Sequence, residues 1–145
     1  MIPRCPEATV CCSRDKDLDG FPGWHYSWAS GGQKEKPLHM VTPTQAHHWF
    51  FTQLLTGDST DNIPGLYRVG SVAAKKLLSG LTEPLSLYSV VHREYEARFG
   101  SYWKLFMHEN ARLLWMLRTE DDDIRVWLDD LEVQRQEELV KEEEF

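Results

Sequence analysis

Cysteine is scarce in this sequence: three residues in 145, at Cys5, Cys11 and Cys12. The count is odd and no Cys-x-x-Cys spacing occurs, so a disulfide framework or a zinc-thiolate site is not expected. Long hydrophobic runs are missing too. No apolar stretch approaches the ~18 residues a membrane span needs, and "MIPRCPEATVCC" has no basic region leading into an apolar one. The expectation is a cytoplasmic protein without a membrane partner. Internal repeats are also missing. The length suits one domain, and 41% hydrophobic residues with six Trp suffice for a core.

Positive charge is short overall, at a net −7, but the deficit is local. Residues 120–145 hold 12 Asp/Glu and 3 Lys/Arg, a net of −9, while residues 1–119 hold 11 and 13, a net of +2. The body of the chain can therefore meet a polyanion. The tail reads as an acidic, solvated extension, helical in places.

"ATVCC" is a short non-alternating apolar run, as expected of a strand covered on both faces. "SRDKDLDGFPG" follows, with Asp15, Asp17 and Asp19 on alternate positions. "WHYSW" and "PLHMV" flank "ASGGQKEK" and predict a two-stranded ribbon with a polar tip. A helix should start at Thr42, with Pro43 at its first position and Gln45 completing a capping box. Ala46, Trp49, Phe50, Gln53 and Leu54 form its inner stripe and Gly57 ends it. "SVAAKKLLSG" predicts a second helix, with others over 83–98 and 102–118, the last opening at Ser101. His47 and His48 read as surface or edge residues, and Trp24, Trp28, Trp49, Trp103 and Trp115 as core.

The acidic spacing raises a chemical question. "DKDLDG" matches the first half of a calcium-binding EF-hand loop, but the twelfth position, which must supply a bidentate carboxylate, is Tyr26. Asp15 and Asp17 instead sit just past a strand's C-terminal end, where open α/β sheets place ligands. "GDSTDNIPG" adds Asp58 and Asp61 in a loop after a helix. Four carboxylates gathered together repel unless a cation sits among them, and oxygen-only ligands favour Mg²⁺ or Mn²⁺. Taken one motif at a time, a solvated strand end and an Asx turn explain these acids better; only together do they point to a cation.

"SRDKDLDGFPGWHYSW", then "LLTGDSTDNIPG" and "VGSVAAKKLL", resembles the 5′-nuclease superfamily, which holds phage 5′-to-3′ exonucleases, flap endonucleases and the 5′-nuclease domain of bacterial DNA polymerase I. The resemblance spans Ala8 to Arg118 and covers only the family's C-terminal half. It implies an α/β remnant of a PIN-like nuclease sheet over 1–41, a mostly helical helix–hairpin–helix region over 42–119 that holds DNA, and the acidic tail over 120–145. Asp15, Asp17, Asp58 and Asp61 match the family's metal-binding acids, Asp19 being a bystander. The implied reaction is hydrolysis of DNA phosphodiesters near 5′ ends, flaps or junctions with two Mg²⁺ or Mn²⁺ roughly 4 Å apart. Ligands of the first metal belong to the family's N-terminal half. They are expected from a partner in trans, from self-association or from a longer parent, in a bacterial or phage-infected cell.

The hairpin departs from the family's Gly-hydrophobic-Gly turn: Arg68 stands at the first glycine, with Val69, Gly70 and Ser71 following. A bulky residue there hinders close backbone approach to a phosphate or any positive φ. Arg68, Lys75 and Lys76 can contact phosphates directly, and the turn is where the family binds K⁺. Two alternatives stand beside the enzyme reading: a non-catalytic DNA-binding module of the same descent, and a small interaction protein acting through its acidic tail.

Overall fold

The computed structural model describes residues 9–144; Cys5 and Ala8 lie outside them. Cys11 and Cys12 are free thiols. Strand β1 (Val10–Cys12) opens the fold and pairs in parallel with β2 (Gly23–Ser27), Val10 opposite Trp24 and Cys12 opposite Tyr26. Residues 13–22 make the crossover and contain a 3₁₀ turn, Lys16–Gly20. β3 (Lys36–Val41) returns antiparallel to β2, with His25 opposite His39 and a register shift beyond it. Ser30 and Gln33 close the ribbon's tip, and the Arg14 guanidinium ties that tip to the crossover by donating to Gln33 Oε1 at 3.1 Å.

One sequence expectation about the sheet is corrected here. β1 is not covered on both faces: Val10 is 43% exposed and Cys12 is exposed, and the strand lies at the sheet's edge, with β2 the only strand beside it among the described residues.

Helix α1 (Pro43–Thr56) begins as its sequence dictates. Thr42 Oγ1 accepts from the Gln45 amide at 3.2 Å, and Gln45 Oε1 accepts from the Thr42 amide at 2.9 Å. Two donors that a helix start leaves orphaned are thereby satisfied. The inner face buries Ala46, Phe50, Phe51, Gln53, Leu54 and Leu55. α1 is followed by two-residue strands β4 (Gly57–Asp58) and β5 (Ile63–Pro64), paired antiparallel. Then come α2 (Ser71–Leu77), α3 (Pro84–Phe99), α4 (Trp103–Leu114) and α5 (Ile124–Glu143).

The core lies between α1, α3, α4 and α5, around Phe51, Leu54, Tyr88, Tyr95, Met107 and Leu128, each fully buried. Each such side chain contributes about 1.5–3 kcal/mol of burial. Two polar groups are buried with their bonds made. Tyr95 Oη donates to Leu54 O at 2.7 Å, and Asn110 Nδ2 donates to Pro64 O at 2.8 Å and to Tyr95 Oη at 3.0 Å. Burial pushes the Tyr95 phenol up to about 12 despite the Asn110 bond.

Two further corrections concern the C-terminal third. The helix expected through 118 stops at Leu114, and Trp115 is extended. The reason is Asp122, whose Oδ2 accepts from Trp115 Nε1 and from the Arg118 amide, both at 2.9 Å, and turns the chain. The acidic tail is not simply a solvated extension either, because α5 buries Ile124, Leu128 and Leu131. Trp127 packs over Phe50, Phe51 and Trp115, with ring centroids 6.3, 5.7 and 5.7 Å away. No helix among the described residues is long and apolar enough to cross a membrane.

The packing of α5 makes stability pH-dependent. Burial, then the Arg135 guanidinium, holds His92 below the ordinary imidazole value of 6.5, against Glu132 and Glu96. Burial does the same for His108, against Asp129. As pH falls through 6.5 the unfolded chain takes up protons that the folded chain refuses, so stability drops. Burial also opposes ionisation of Glu132, but hydrogen bonds from Arg135, Gln136 and Tyr88 prevail and pull it to about 2 from 4.5. Its contribution is present above pH 4.5 and is lost as pH falls toward 2. Urea midpoints at about pH 7.5, 5.5 and 3.5 should fall in two steps, and a flat profile would contradict this account.

Candidate metal centre

The site forms where the crossover after β1 meets the C-terminal end of α1. Asp15 caps the 3₁₀ turn, its Oδ1 accepting from the Asp17 amide at 3.0 Å. That turn presents Asp17 to α1, where Gln53 Nε2 donates to Asp17 Oδ1 at 3.2 Å. Gln53 is a polar residue on an otherwise apolar stripe, and this bond is the reason it can be buried there.

Asp58 enters from the other side. Gly57 ends α1 at φ 68°, ψ −170°, a conformation open essentially only to glycine. The next residue is thereby turned back toward the crossover. Asp58 Oδ1 accepts from the Thr60 amide at 2.9 Å, an Asx turn that shapes the loop carrying Asp61. Asn62 follows with φ 56°. Asp58 is only 6% exposed, whereas Asp61 is exposed.

Carboxylate oxygens of Asp17, Asp58 and Asp61 lie within 4.8 Å of one another. Three of the four acids expected from the sequence are thus brought together; Asp15 stands outside the group and serves the turn instead. Asp19 pairs with Lys36 at 3.4 Å. The donor set is all carboxylate oxygen, which suits a hard divalent cation such as Mg²⁺ or Mn²⁺. A positive charge already sits there. Lys16 Nζ donates to Asp58 Oδ2 and, at 3.2 Å, to Asp17 Oδ1. The Lys16 hydrogen bond, opposed by burial and helped by the Thr60 amide, holds the Asp58 carboxyl below the ordinary value, and the Lys16 ammonium is raised in return.

Lys16 and Gln53 were not among the site residues expected from sequence. Gln53 left a signal, a polar residue within the inner stripe of α1. Lys16 left none, because its partner Asp58 is distant in the chain. Also unforeseen is a cavity of about 360 Å³ beside the cluster, lined by Arg14, Asp15, Lys16, His25, Lys34 and Lys36 among others.

The hairpin stands apart from the acids in sequence and in its chemistry. Arg68 adopts φ 61°, the left-handed conformation a glycine would take without strain. The Arg68 guanidinium lies over the exposed Tyr67 ring, 5.2 Å from its centroid. Val69 departs from the expected DNA-facing role. Its side chain is buried and its amide donates to Leu66 O at 3.0 Å, so neither is free for a phosphate. Gly70 caps α2, and Ser71, Lys75 and Lys76 are exposed. His47 is half-buried against Trp127, and His48 Nε2 donates to Leu78 O at 3.3 Å, so both take part in packing. Trp28 is exposed and is not core.

No family model matches the sequence, and no curated protein or solved structure matches it either.

Proposed function

We propose that this chain is a 5′-to-3′ exonuclease or flap-endonuclease-like protein, hydrolysing DNA phosphodiesters near 5′ ends or junctions with Mg²⁺ or Mn²⁺. The observation that carries this reading is the meeting of Asp17, Asp58 and Asp61, from two distant segments, within 4.8 Å. Three carboxylates this close repel one another unless positive charge sits among them, and a divalent cation would supply it.

Asp17, Asp58 and Asp61 would hold the cation, Gln53 fixes the rotamer of Asp17, and Asp15 holds the turn. Bound there, a divalent cation would supply Lewis acidity toward a phosphoryl oxygen and activate water for attack. Arg68, Lys75 and Lys76 add sequence-independent phosphate contacts that weaken as salt rises. Three carboxylates suit one cation, so a two-metal reaction needs further acids from a partner chain or a longer parent. A non-catalytic DNA-binding module is the second reading, and Lys16 already engaging two of the three acids favours it.

The test is cleavage of a 5′-labelled flap and a nicked duplex with Mn²⁺ and then Mg²⁺, wild type beside Asp58→Asn. Slow Mn²⁺-dependent cutting should fall about 100-fold in the variant, on the scale of removing one stabilising group. Salt-sensitive junction binding without cutting in either protein would establish the second reading. Cutting unchanged by Asp58→Asn, or no DNA binding at any salt, overturns the proposal.

A further inference from the structure

The Lys16 ammonium touches two carboxylates of the acidic cluster at once. Asp58 is buried, its side chain 4% exposed, yet the side chain of Lys16 that reaches it is 52% exposed. The approach is therefore made from solvent by a flexible arm. Both Asp58 oxygens are engaged, one by the Thr60 amide and the other by Lys16. Asp17 Oδ1 is shared by Lys16 and Gln53. A divalent cation bound by Asp58 Oδ2 and Asp17 Oδ1 needs the same oxygens, so Lys16 has to leave first. The Thr60 and Gln53 bonds need not change, so the carboxylates stay oriented while the cation changes.

We propose that Lys16 is a tethered stand-in for the divalent cation: it holds Asp17 and Asp58 together in the unloaded protein, competes with metal for them, and sets the site's affinity. This rests on reading the three acids as a cation site. Its physical basis is the local charge. Three carboxylates with Lys16 sum to −2. Expelling the ammonium returns them to −3, so a divalent cation that takes its place leaves −1 and binds only at the cost of a favourable charge already in place. Without Lys16 the cluster carries −3 and nothing has to be expelled. Lys16 directly precedes Asp17 in the chain, so its effective concentration at the site is high and constant. The same contact keeps the unloaded acids from repelling one another.

The experiment is Mn²⁺ binding, read by the loss of the free-ion electron paramagnetic resonance signal and by calorimetry, with no DNA present. Lys16→Met should bind Mn²⁺ about tenfold more tightly than wild type, as expected from removing a competing charge at contact distance. Its metal-free form should melt lower, and Mn²⁺ should raise its melting temperature by more than in wild type. Lys16→Arg keeps the charge and should bind no tighter than wild type. In an Asp58→Asn background, Lys16→Met should bring no gain. Equal or weaker Mn²⁺ binding by Lys16→Met, with binding abolished by Asp58→Asn, would leave the cation site standing and sink the tethered-ammonium role. Binding indifferent to Asp58→Asn would sink both.

Discussion

Replacing Gly65 with alanine should destabilise the protein by about 3 kcal/mol or more and lower its melting temperature by about 10 °C. An added Cβ would lie 2.2 Å from Thr56 C, 2.3 Å from Thr56 O and 2.5 Å from Gly57 N. All three are backbone atoms, so no side chain can swing aside. The end of α1 and the β5 strand would have to separate, and with them the Gly57–Asp58 and Ile63–Pro64 pairing that directs Asp58 at the crossover. Gly57 faces the same contact from the other side: its Cβ would stand 2.2 Å from Gly65 N, and its φ of 68° adds strain for any other residue. The control is Gly70→Ala. There a Cβ meets nothing within 4 Å and φ is −87°, so the change should stay within about 0.5 kcal/mol. Thermal melts of the two variants beside wild type check the ordering. Equal melting temperatures for Gly65→Ala and Gly70→Ala would mean that the close approach of the two backbones is not real.

Gly57 also marks where sequence reading succeeded. Thr42, Pro43, Gln45 and Gly57 state both ends of α1 in local chemistry, and the structure uses each as expected. β1 and the ribbon are legible for the same reason, since period and turn residues are local signals. What was not legible depends on meetings between distant segments. Nothing local distinguishes Asp15, which caps its own turn, from Asp17, which joins Asp58 and Asp61. The spacing was informative, but which acid faces α1 is decided by the turn's geometry and by Gln53. Arg68 shows a different limit. Its side chain argues against a positive φ, and the surrounding fold imposes one regardless. The buried amide of Val69, turned to Leu66 O, belongs to the same imposed turn.

Helix α5 was the largest misreading, and it yields the second strong prediction. The segment is so acidic that its few apolar residues look incidental. Yet Ile124, Leu128 and Leu131 fall on one stripe, and Trp127 beside them packs over the aromatic residues of α1. Leu128→Ala should cost about 3 kcal/mol, the usual price of a large-to-small change at a fully buried site. On the opposite face Val126, Val133 and Val140 are 62, 57 and 54% exposed, and Val133→Ser should stay within about 0.5 kcal/mol. A stop after Gln136 should be nearly as harmless. It keeps the buried stripe and the bonds Glu132 accepts from Tyr88, Arg135 and Gln136, and among the described residues it removes only exposed turns, many of them acidic. Urea midpoints of these three proteins separate the two descriptions of the tail. A solvated extension makes all three equal to wild type, whereas a helix that closes the core makes Leu128→Ala alone fall sharply. The acidity is then what keeps the outer face in water while the inner stripe stays docked, so one segment serves as core on one side and charged surface on the other.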